Sequence, residues 1–233
     1  MSVHAVHVLR ALQITGGMTC LVATMIAWSA AATAFGRERT PFISEVLALP
    51  WRHPRARGAA VARLAAALFV VGALAFVAAA AVRLARGWSA SAVAAFAVGA
   101  LLVCIVFVPL REVEAERIPE AGGLDLLHPF FAASFYLVSI VAAFVVAVPR
   151  AGRFGMVLTV AHVATSVQLT AAVFDLSWRE LGRDGFRPWY LPGVRILLDR
   201  RPLSQSPTEW IRRLQWPATL LIALDLGLTP LGI

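Results

Sequence analysis

Two ionisable residues lie deep inside long apolar stretches of this sequence, where a charge is costly and a polar group is usually paired or faces a cavity. His162 lies in VLTVAHVATSV and Asp225 in LLIALDLGL. At about 1.5 Å per helical residue, both lie roughly 15 to 20 Å from the ends of their helices on the same side of the membrane. The sequence therefore predicts that they sit at similar depth, where a direct or water-bridged pair can form.

Small polar residues flank His162 along one face of its predicted helix. Thr159, Ser166 and Thr170 are spaced three, four and eight residues from the histidine, which places them on the same side. Such residues commonly hold membrane helices together, and we favour this interpretation over a proton relay or a substrate site. A haem ligated by both His128 and His162 is excluded, because one iron needs both imidazoles at nearly one depth and His128 lies at the end of its span.

A second group of chemically versatile residues falls in or beside the longer connections between apolar stretches. The candidates for general acid and base work there are Glu45, His128 and Asp175. Carboxylates beside a histidine also bind divalent cations, but no spacing here is typical of a metal site, and neither a metal nor another cofactor is predicted. The acidic run REVEAERIPE, residues 111–120, is most simply a solvated turn.

The basic residues of the chain are all arginines, since it contains no lysine. Arginine forms bidentate contacts with phosphate. We expect anionic lipid headgroups as partners rather than nucleic acid, because no basic motif interleaved with aromatic residues is present. The candidates for headgroup binding are Arg52, Arg55, Arg57, Arg179 and Arg195.

The first three of these arginines end the stretch TPFISEVLALPWRHPRARG, residues 40–58. We expect a short helix that begins at Thr40 and Pro41 and tucks ISEVLAL against the rim of the bundle, with Trp51 and the arginines at the level of the headgroups. This helix is interpreted as a lid. The alternative is an inert amphipathic connector.

Composition predicts the elements that position these residues. Of the 233 residues, 60% are hydrophobic and only 15% are charged, against about 25% charged in soluble domains. The prediction is one all-α domain over residues 1–233, a polytopic bundle of six transmembrane helices with short interfacial helices in the first and last long loops. The first span is also compatible with a signal peptide. The predicted spans, each near the ~20 residues that a bilayer requires, are residues 15–35, 61–82, 89–110, 129–148, 154–175 and 215–232.

Parity puts the three longer connections on one side of the membrane, here called the loop face. The chain ends and two short basic connections lie on the other side, the terminal face. Fifteen arginines lie at the loop face and five at the terminal face, so the positive-inside rule places the loop face in the cytoplasm. The loop face also carries 12 of the 13 acidic residues, so net charge favours the opposite orientation.

The last connection contains FRPWYLPGVRILLDRRPL, in which aromatic and apolar residues alternate with arginines. This composition suits a segment in the headgroup layer. The following SPTEW predicts a helix with Ser206 as its cap and Pro207 at its first position. Trp210 and Trp216 are expected to anchor that helix at the lipid interface.

Three short motifs resemble one family. PFISE in the first connection, LHPFFAASFYL at the fourth span and EWIRRL before the sixth occur together with a broken, charged third connection ending near FVPLREVEAERIP. With the six-span layout, they are similar to the Frag/DRAM/Sfk-like membrane family and its bacterial branch of unknown function. The resemblance implies a six-helix bundle with a cytoplasmic amino terminus, and lipid handling in some eukaryotic relatives. The arginine-rich final connection departs from that family, and the implied orientation opposes the arginine count.

The predicted function is that of an integral protein of a bacterial cytoplasmic membrane that interacts with lipids or serves as an accessory subunit of a membrane assembly. The sequence has no nucleophile motif, nucleotide loop or metal signature. Membrane lipids and partner membrane subunits are the expected partners, the latter received by small-residue faces such as AAFAVGALL, residues 94–102. The alternative is a membrane enzyme or lipid carrier acting on a phosphate-bearing lipid at the loop face. A transporter coupled to protons through His162 and Asp225 ranks third, because no inverted repeat is apparent.

Overall fold

Helices account for 91% of the residues that the computed structural model describes, and these residues form no strand. The all-α class is therefore confirmed for this part of the chain. The described residues are 3–36, 40–85, 87, 89–107, 127–180 and 207–229. Within them the α-helices are α1 (Val3–Phe35), α2 (Ile43–Arg52), α3 (Ala59–Leu84), α4 (Ala90–Phe107), α5 (Leu127–Ala142), α6 (Arg153–Glu180) and α7 (Pro207–Leu228).

Five helical segments are long and apolar enough to cross a membrane, namely those of α1, α3, α4, α5 with its continuation, and α6. The predicted sixth span falls in α7, which begins at Pro207 as expected. The last 18 residues of α7 carry Arg212, Arg213 and Asp225, so its composition alone does not establish a crossing. The first helix begins at Val3 rather than near residue 15, because helix-forming residues continue upstream of the apolar run.

Paired glycines let α1 approach two neighbouring helices closely. A Cβ atom on Gly17 would lie 2.5 Å from the Cα atom of Gly227 on α7. A Cβ atom on Gly72 of α3 would lie 3.0 Å from the carbonyl oxygen of Gly16. Small residues of this kind allow backbones in membrane bundles to touch. As a result, α1 packs between α3 and α7.

The first and last helices run antiparallel to each other. Trp28 and Trp216 pack edge to face with ring centroids 4.8 Å apart, and Gly17 meets Gly227. These two contacts are eleven residues apart on both helices, which is about 16 Å of helix. The helices therefore lie side by side over at least that length. Trp216 is buried, so the prediction of a lipid-facing anchor at this position is wrong.

The small residues of AAFAVGALL serve the interior of the bundle. A Cβ atom on Gly99 would lie 2.7 Å from the carbonyl oxygen of Ala73 on α3. Phe96, by contrast, points outward. The small-residue face that was predicted to receive a partner subunit is thus occupied within the chain. Its buried members are Ala94, Ala95, Val98, Gly99 and Leu102.

The helical run that begins with α5 changes its winding before it ends. Residues Ala143–Ala147 form a π-helical turn, and Val148–Arg150 form a 3-10 turn. Pro149 has no N–H to donate to the carbonyl of Val145, and its ring would collide with that carbonyl in a regular helix. A wider turn accommodates the proline. The turn lies against α4, α6 and α7.

The short helix α2 packs on the rim of the bundle, where it contacts α1, α3, α4 and α7. It begins at Ile43, two residues later than predicted. The Glu45 side chain explains this start, because its Oε2 atom accepts the N–H of Phe42 at 2.8 Å and caps the first turn. Trp51 is 63% exposed at the other end. The buried residues of α2 include Ile43, Val46, Leu47, Ala48 and Leu49.

Candidate functional site

His162 on α6 and Asp225 on α7 meet in the interior of the bundle. The Nδ1 atom of His162 lies 2.7 Å from Oδ2 of Asp225, and neither side chain has exposed surface. His162 follows Arg153 at the start of α6 by nine residues, about 14 Å. This is half of a hydrocarbon core about 30 Å thick. The structure thus brings the two residues together by direct contact.

Two threonines hold the other oxygen of the carboxyl group. Thr159 on α6 and Thr229, one residue past the end of α7, each donate a hydroxyl hydrogen to Oδ1 of Asp225 over 2.7 Å. The Thr159 hydroxyl also lies 3.0 Å from the Gly155 carbonyl oxygen, and we assign its single hydrogen to the shorter contact. Thr229 is fully buried, and Thr159 is nearly so. Because both hydroxyls engage Oδ1, they fix the orientation of the carboxyl group and leave Oδ2 to the imidazole.

Ser139 on α5 occupies the second imidazole nitrogen. Its Oγ atom lies 3.0 Å from Nε2 of His162. The same hydroxyl donates its hydrogen to the carbonyl oxygen of Tyr136 at 2.7 Å. A serine hydroxyl has a single hydrogen, so Nε2 must be the donor in its contact with Ser139. The network therefore joins three helices through one buried imidazole.

This donor assignment fixes how many hydrogens the histidine and aspartate pair holds. With Nε2 protonated, the short contact between Nδ1 of His162 and Oδ2 of Asp225 needs one further hydrogen. The pair is then either imidazolium with carboxylate or neutral imidazole with carboxylic acid. Both forms have no net charge. Loss of the shared hydrogen would leave a buried negative charge, which is costly in an apolar interior.

The order serine, histidine, aspartate is that of a hydrolase triad. In such a triad the serine donates its hydrogen to the imidazole, whereas Ser139 donates to the Tyr136 carbonyl. Ser139, His162 and Asp225 also have no exposed surface through which a substrate would reach them. The geometry fits a network that holds a proton better than a nucleophile for acyl transfer.

Ser166 lies one turn from His162 toward the loop face. It is fully buried, and its hydroxyl has no hydrogen-bond partner among the described residues. The other members of the predicted polar stripe differ, since Thr159 donates to Asp225 and Thr170 donates to the Ser166 carbonyl at 2.8 Å. Joining helices through hydrogen bonds therefore accounts for Thr159 but not for Ser166.

Glu45, a predicted acid or base, fastens α2 to α7. Its Oε1 atom lies 3.6 Å from Nη2 of Arg212, whose guanidinium group lies 4.8 Å from the centre of the Phe42 ring. The indole of Trp216 donates to the Pro41 carbonyl at 3.1 Å. We call these five residues the clasp. The two clasp residues on α7, Arg212 and Trp216, lie nearer the loop-face end of that helix than the buried network does.

The clasp and the buried pair of His162 and Asp225 lie at different positions along α7. Arg212 precedes Asp225 by 13 residues, about 20 Å of helix. Glu45 and the buried pair of His162 and Asp225 thus belong to different sites. The clasp also holds the amino-terminal end of α2 in place, so this end is part of the packed bundle.

The remaining predicted residues fall in or beside the longer connections of the sequence. Arg55 and Arg57 are exposed in the turn between α2 and α3. Arg195 and the acidic run of residues 111–120 lie outside the described residues. The structure describes only the backbone, as helix, at Arg52, His128, Asp175 and Arg179.

Two members of the network, Ser139 and Thr229, were not predicted from the sequence. Ser139 precedes Arg150 by eleven residues, about 16 Å, which is nearly the depth of His162 below Arg153. Comparing the depths of polar residues in all spans would have identified it. Thr229 follows Asp225 by four residues, the spacing of neighbours on one helix face.

The described residues contain no group of three or more histidine, cysteine, aspartate or glutamate residues placed to hold a metal ion. Comparison of the chain with protein-family models, curated proteins and solved structures gives no match. The resemblance to the Frag/DRAM/Sfk-like family stays a prediction.

Proposed function

We propose that this chain is a six-span integral protein of a bacterial cytoplasmic membrane and that its α2 edge binds anionic lipid headgroups. The α2 edge consists of the exposed residues Trp51, Arg55 and Arg57. The contacts between α1 and α7 support the sixth span. Because α1 is long and apolar enough to cross the membrane, a helix that lies beside it for about 16 Å runs at the same depth. The charges of α7 fit a crossing, since Arg212 and Arg213 lie toward its loop-face end and Asp225 is paired.

The observation that carries lipid binding is the arrangement of exposed and buried residues around α2. Most of α2 is buried in the bundle, while Trp51 at its end and Arg55 and Arg57 in the following turn are exposed. An exposed indole next to arginines at the rim of a membrane bundle is typical of the headgroup level. Guanidinium groups pair with phosphate in a bidentate manner.

Both ends of this segment are fixed to the bundle, which favours a preformed headgroup site. The clasp holds the amino-terminal end of α2 to α7. At the other end, Gly58 adopts φ +84°, and a Cβ atom there would lie 2.9 Å from the Ala30 carbonyl oxygen. Only glycine suits such a conformation and approach. Arg55 and Arg57 are therefore held at a constant height relative to the spans.

The test is lipid selectivity in nanodiscs that contain equal amounts of phosphatidylglycerol and phosphatidylcholine. Native mass spectrometry of the released protein counts the lipids retained. We expect the wild type to retain phosphatidylglycerol in preference to phosphatidylcholine. The double variant Arg55→Gln with Arg57→Gln should lose much of this preference, because each arginine near an anionic surface contributes about 1 kcal/mol.

A matched double variant, Arg10→Gln with Arg153→Gln, removes the same charge from exposed positions at the terminal face. It should keep the preference of the wild type. Equal losses in the two double variants would mean that overall charge, and not the α2 edge, selects the lipid. The absence of any preference in the wild type would also rule out the proposal.

A further inference from the structure

We propose that His162 and Asp225 form a proton-binding site at the centre of the bundle, and that Ser166 marks the route by which water reaches it from the loop face. This site is separate from the α2 edge, because the clasp residues on α7, Trp216 and Arg212, lie about 14 and 20 Å from Asp225 along the helix. The site is formed by hydrogen bonds among α5, α6 and α7, and so does not depend on lipid binding.

The geometry concentrates the exchangeable hydrogen at one contact. Oδ1 of Asp225 is saturated by two threonine hydroxyls, and Nε2 of His162 is held by Ser139. Only the contact of 2.7 Å between Nδ1 and Oδ2 has a hydrogen whose position between its two atoms is not fixed by other partners. The shared hydrogen also makes the pair neutral, which is the form that an apolar surrounding favours.

Ser166 supplies an independent observation. A buried hydroxyl without a partner is destabilising, and the usual solution in proteins is an ordered water molecule. Ser166 follows His162 by four residues and so lies about 6 Å from it along the helix. A water molecule bound to the Ser166 hydroxyl would lie within this distance of the imidazole, whose two nitrogens keep their protein partners. The hydroxyl therefore marks a position where water comes next to the imidazole.

The route continues toward the loop face and not toward the terminal face. Thr170, one further turn along, is half-buried and lies on the same side of α6. In the other direction Thr159 is already engaged by Asp225. Because both nitrogens of His162 are occupied, exchange through Nε2 requires the Ser139 contact to open. We therefore expect exchange that is slow but measurable.

The electrostatic surroundings of the pair are simple among the described residues. In α1, α4, α5, α6 and α7, which surround the pair, the other titratable side chains that the structure describes, apart from basic ones, are one phenol and two thiols, those of Tyr136, Cys20 and Cys104. Tyr136 on α5 contacts Thr219 at 3.3 Å, and Cys20 on α1 lies against Gly72 of α3. The remaining charged or titratable side chains that the structure describes on these helices lie toward the helix ends. They are His7, Arg10, Arg153, Arg212 and Arg213.

The test uses the full chain in nanodiscs, labelled with ¹⁵N at histidine, and follows both ring nitrogens of His162 by solid-state NMR. The His162→Gln variant assigns the signals. At neutral pH we expect Nε2 to carry a hydrogen and the carboxyl group of Asp225 and the ring together to hold one more. Transfer to D₂O should replace these hydrogens with deuterium at a measurable rate.

The variant Ser166→Ala isolates the route. It removes a hydroxyl that has no partner, so the fold should be retained, and exchange at His162 should become severalfold slower. Thr165→Ala is the matched control, because its hydroxyl is satisfied by the Ala161 carbonyl at 2.6 Å and lies about 100° around α6 from the Ser166 hydroxyl. Exchange should then remain at the wild-type rate.

Two outcomes would overturn the proposal. If Nε2 of His162 carries no hydrogen, the pair lacks the extra proton and is not the site described. If Ser166→Ala and Thr165→Ala exchange equally fast, Ser166 does not mark the route. Slower exchange in Ser166→Ala alone, together with a protonated Nε2, supports both parts.

Discussion

At the residue scale, the buried network satisfies each hydrogen-bonding atom of its central pair. Asp225 accepts from two threonines through Oδ1 and faces His162 through Oδ2. The second nitrogen of His162 meets Ser139. In an apolar interior, removing one member leaves the others without partners, and this cost exceeds the net value of each hydrogen bond. For stability, the hydrogen-bonding capacity of the side chain at position 225 therefore matters more than its charge.

Replacing Asp225 with alanine and with asparagine separates these two properties. Asp225→Ala leaves the imidazole and two hydroxyls without their hydrogen-bond partner, so we expect a loss of about 3 kcal/mol or more in the free energy of unfolding. Asp225→Asn should lose only about 1 kcal/mol. The amide oxygen can accept from Thr159 and Thr229, while the amide nitrogen donates to Nδ1 of His162. Unfolding of the purified protein in mixed detergent micelles measures the difference, and equal losses in the two variants would contradict the network.

At the scale of the elements, two devices hold α7 in the bundle. The glycine crossing fixes its lower part against α1, since a Cβ atom on Gly17 would also lie 2.5 Å from the Ala223 carbonyl oxygen. The clasp fixes its upper part to α2 through Arg212 and Trp216. Asp225 lies within the glycine crossing, between Ala223 and Gly227. Each device can be weakened by itself.

The crossing predicts a difference between two adjacent glycines. Gly17→Ala should force α1 and α7 apart, because the clash is with backbone atoms at 2.5 Å. Gly16→Ala should cost less, since its Cβ atom would lie 3.2 Å from the Gly72 carbonyl oxygen and from the Phe76 ring. We expect a loss of about 1–3 kcal/mol in the free energy of unfolding for Gly17→Ala. A larger loss in Gly16→Ala would show that the crossing is placed wrongly.

The clasp predicts a local effect on α2. Glu45→Ala removes both the cap on the Phe42 N–H and the contact with Arg212, so the amides of α2 should exchange with solvent faster. The loss of the cap corresponds to about 1 kcal/mol. Glu45→Gln keeps an acceptor for Phe42 and should show an intermediate effect. Hydrogen exchange measured by mass spectrometry checks this order, and unchanged α2 protection in Glu45→Ala would refute the clasp.

At the scale of the whole molecule, the sequence predicted those features that depend on helix rise and apolar length. The common depth of His162 and Asp225 follows from counting residues at a constant rise. The role of Ser139 could not be predicted from hydropathy, because a single hydroxyl changes the hydropathy of a span very little. The clasp was out of reach as well, since Pro41 and Trp216 are separated by 175 residues. Only the packing of α5 on α6, and of the α2 segment on α7, brings such residues together.

The most direct test of the central claim, that α7 crosses the membrane beside α1, is a map of accessibility from each side. In a background with Cys20→Ala and Cys104→Ala, single cysteines are introduced as Arg57→Cys, as Gly152→Cys and after Ile233. A maleimide that does not cross membranes is applied to vesicles of each orientation. We expect the cysteine after Ile233 to react from the same side as Gly152→Cys, and Arg57→Cys to react from the other. If the cysteine after Ile233 instead reacts from the side of Arg57→Cys, α7 does not cross, and Asp225 does not lie at the centre of the membrane.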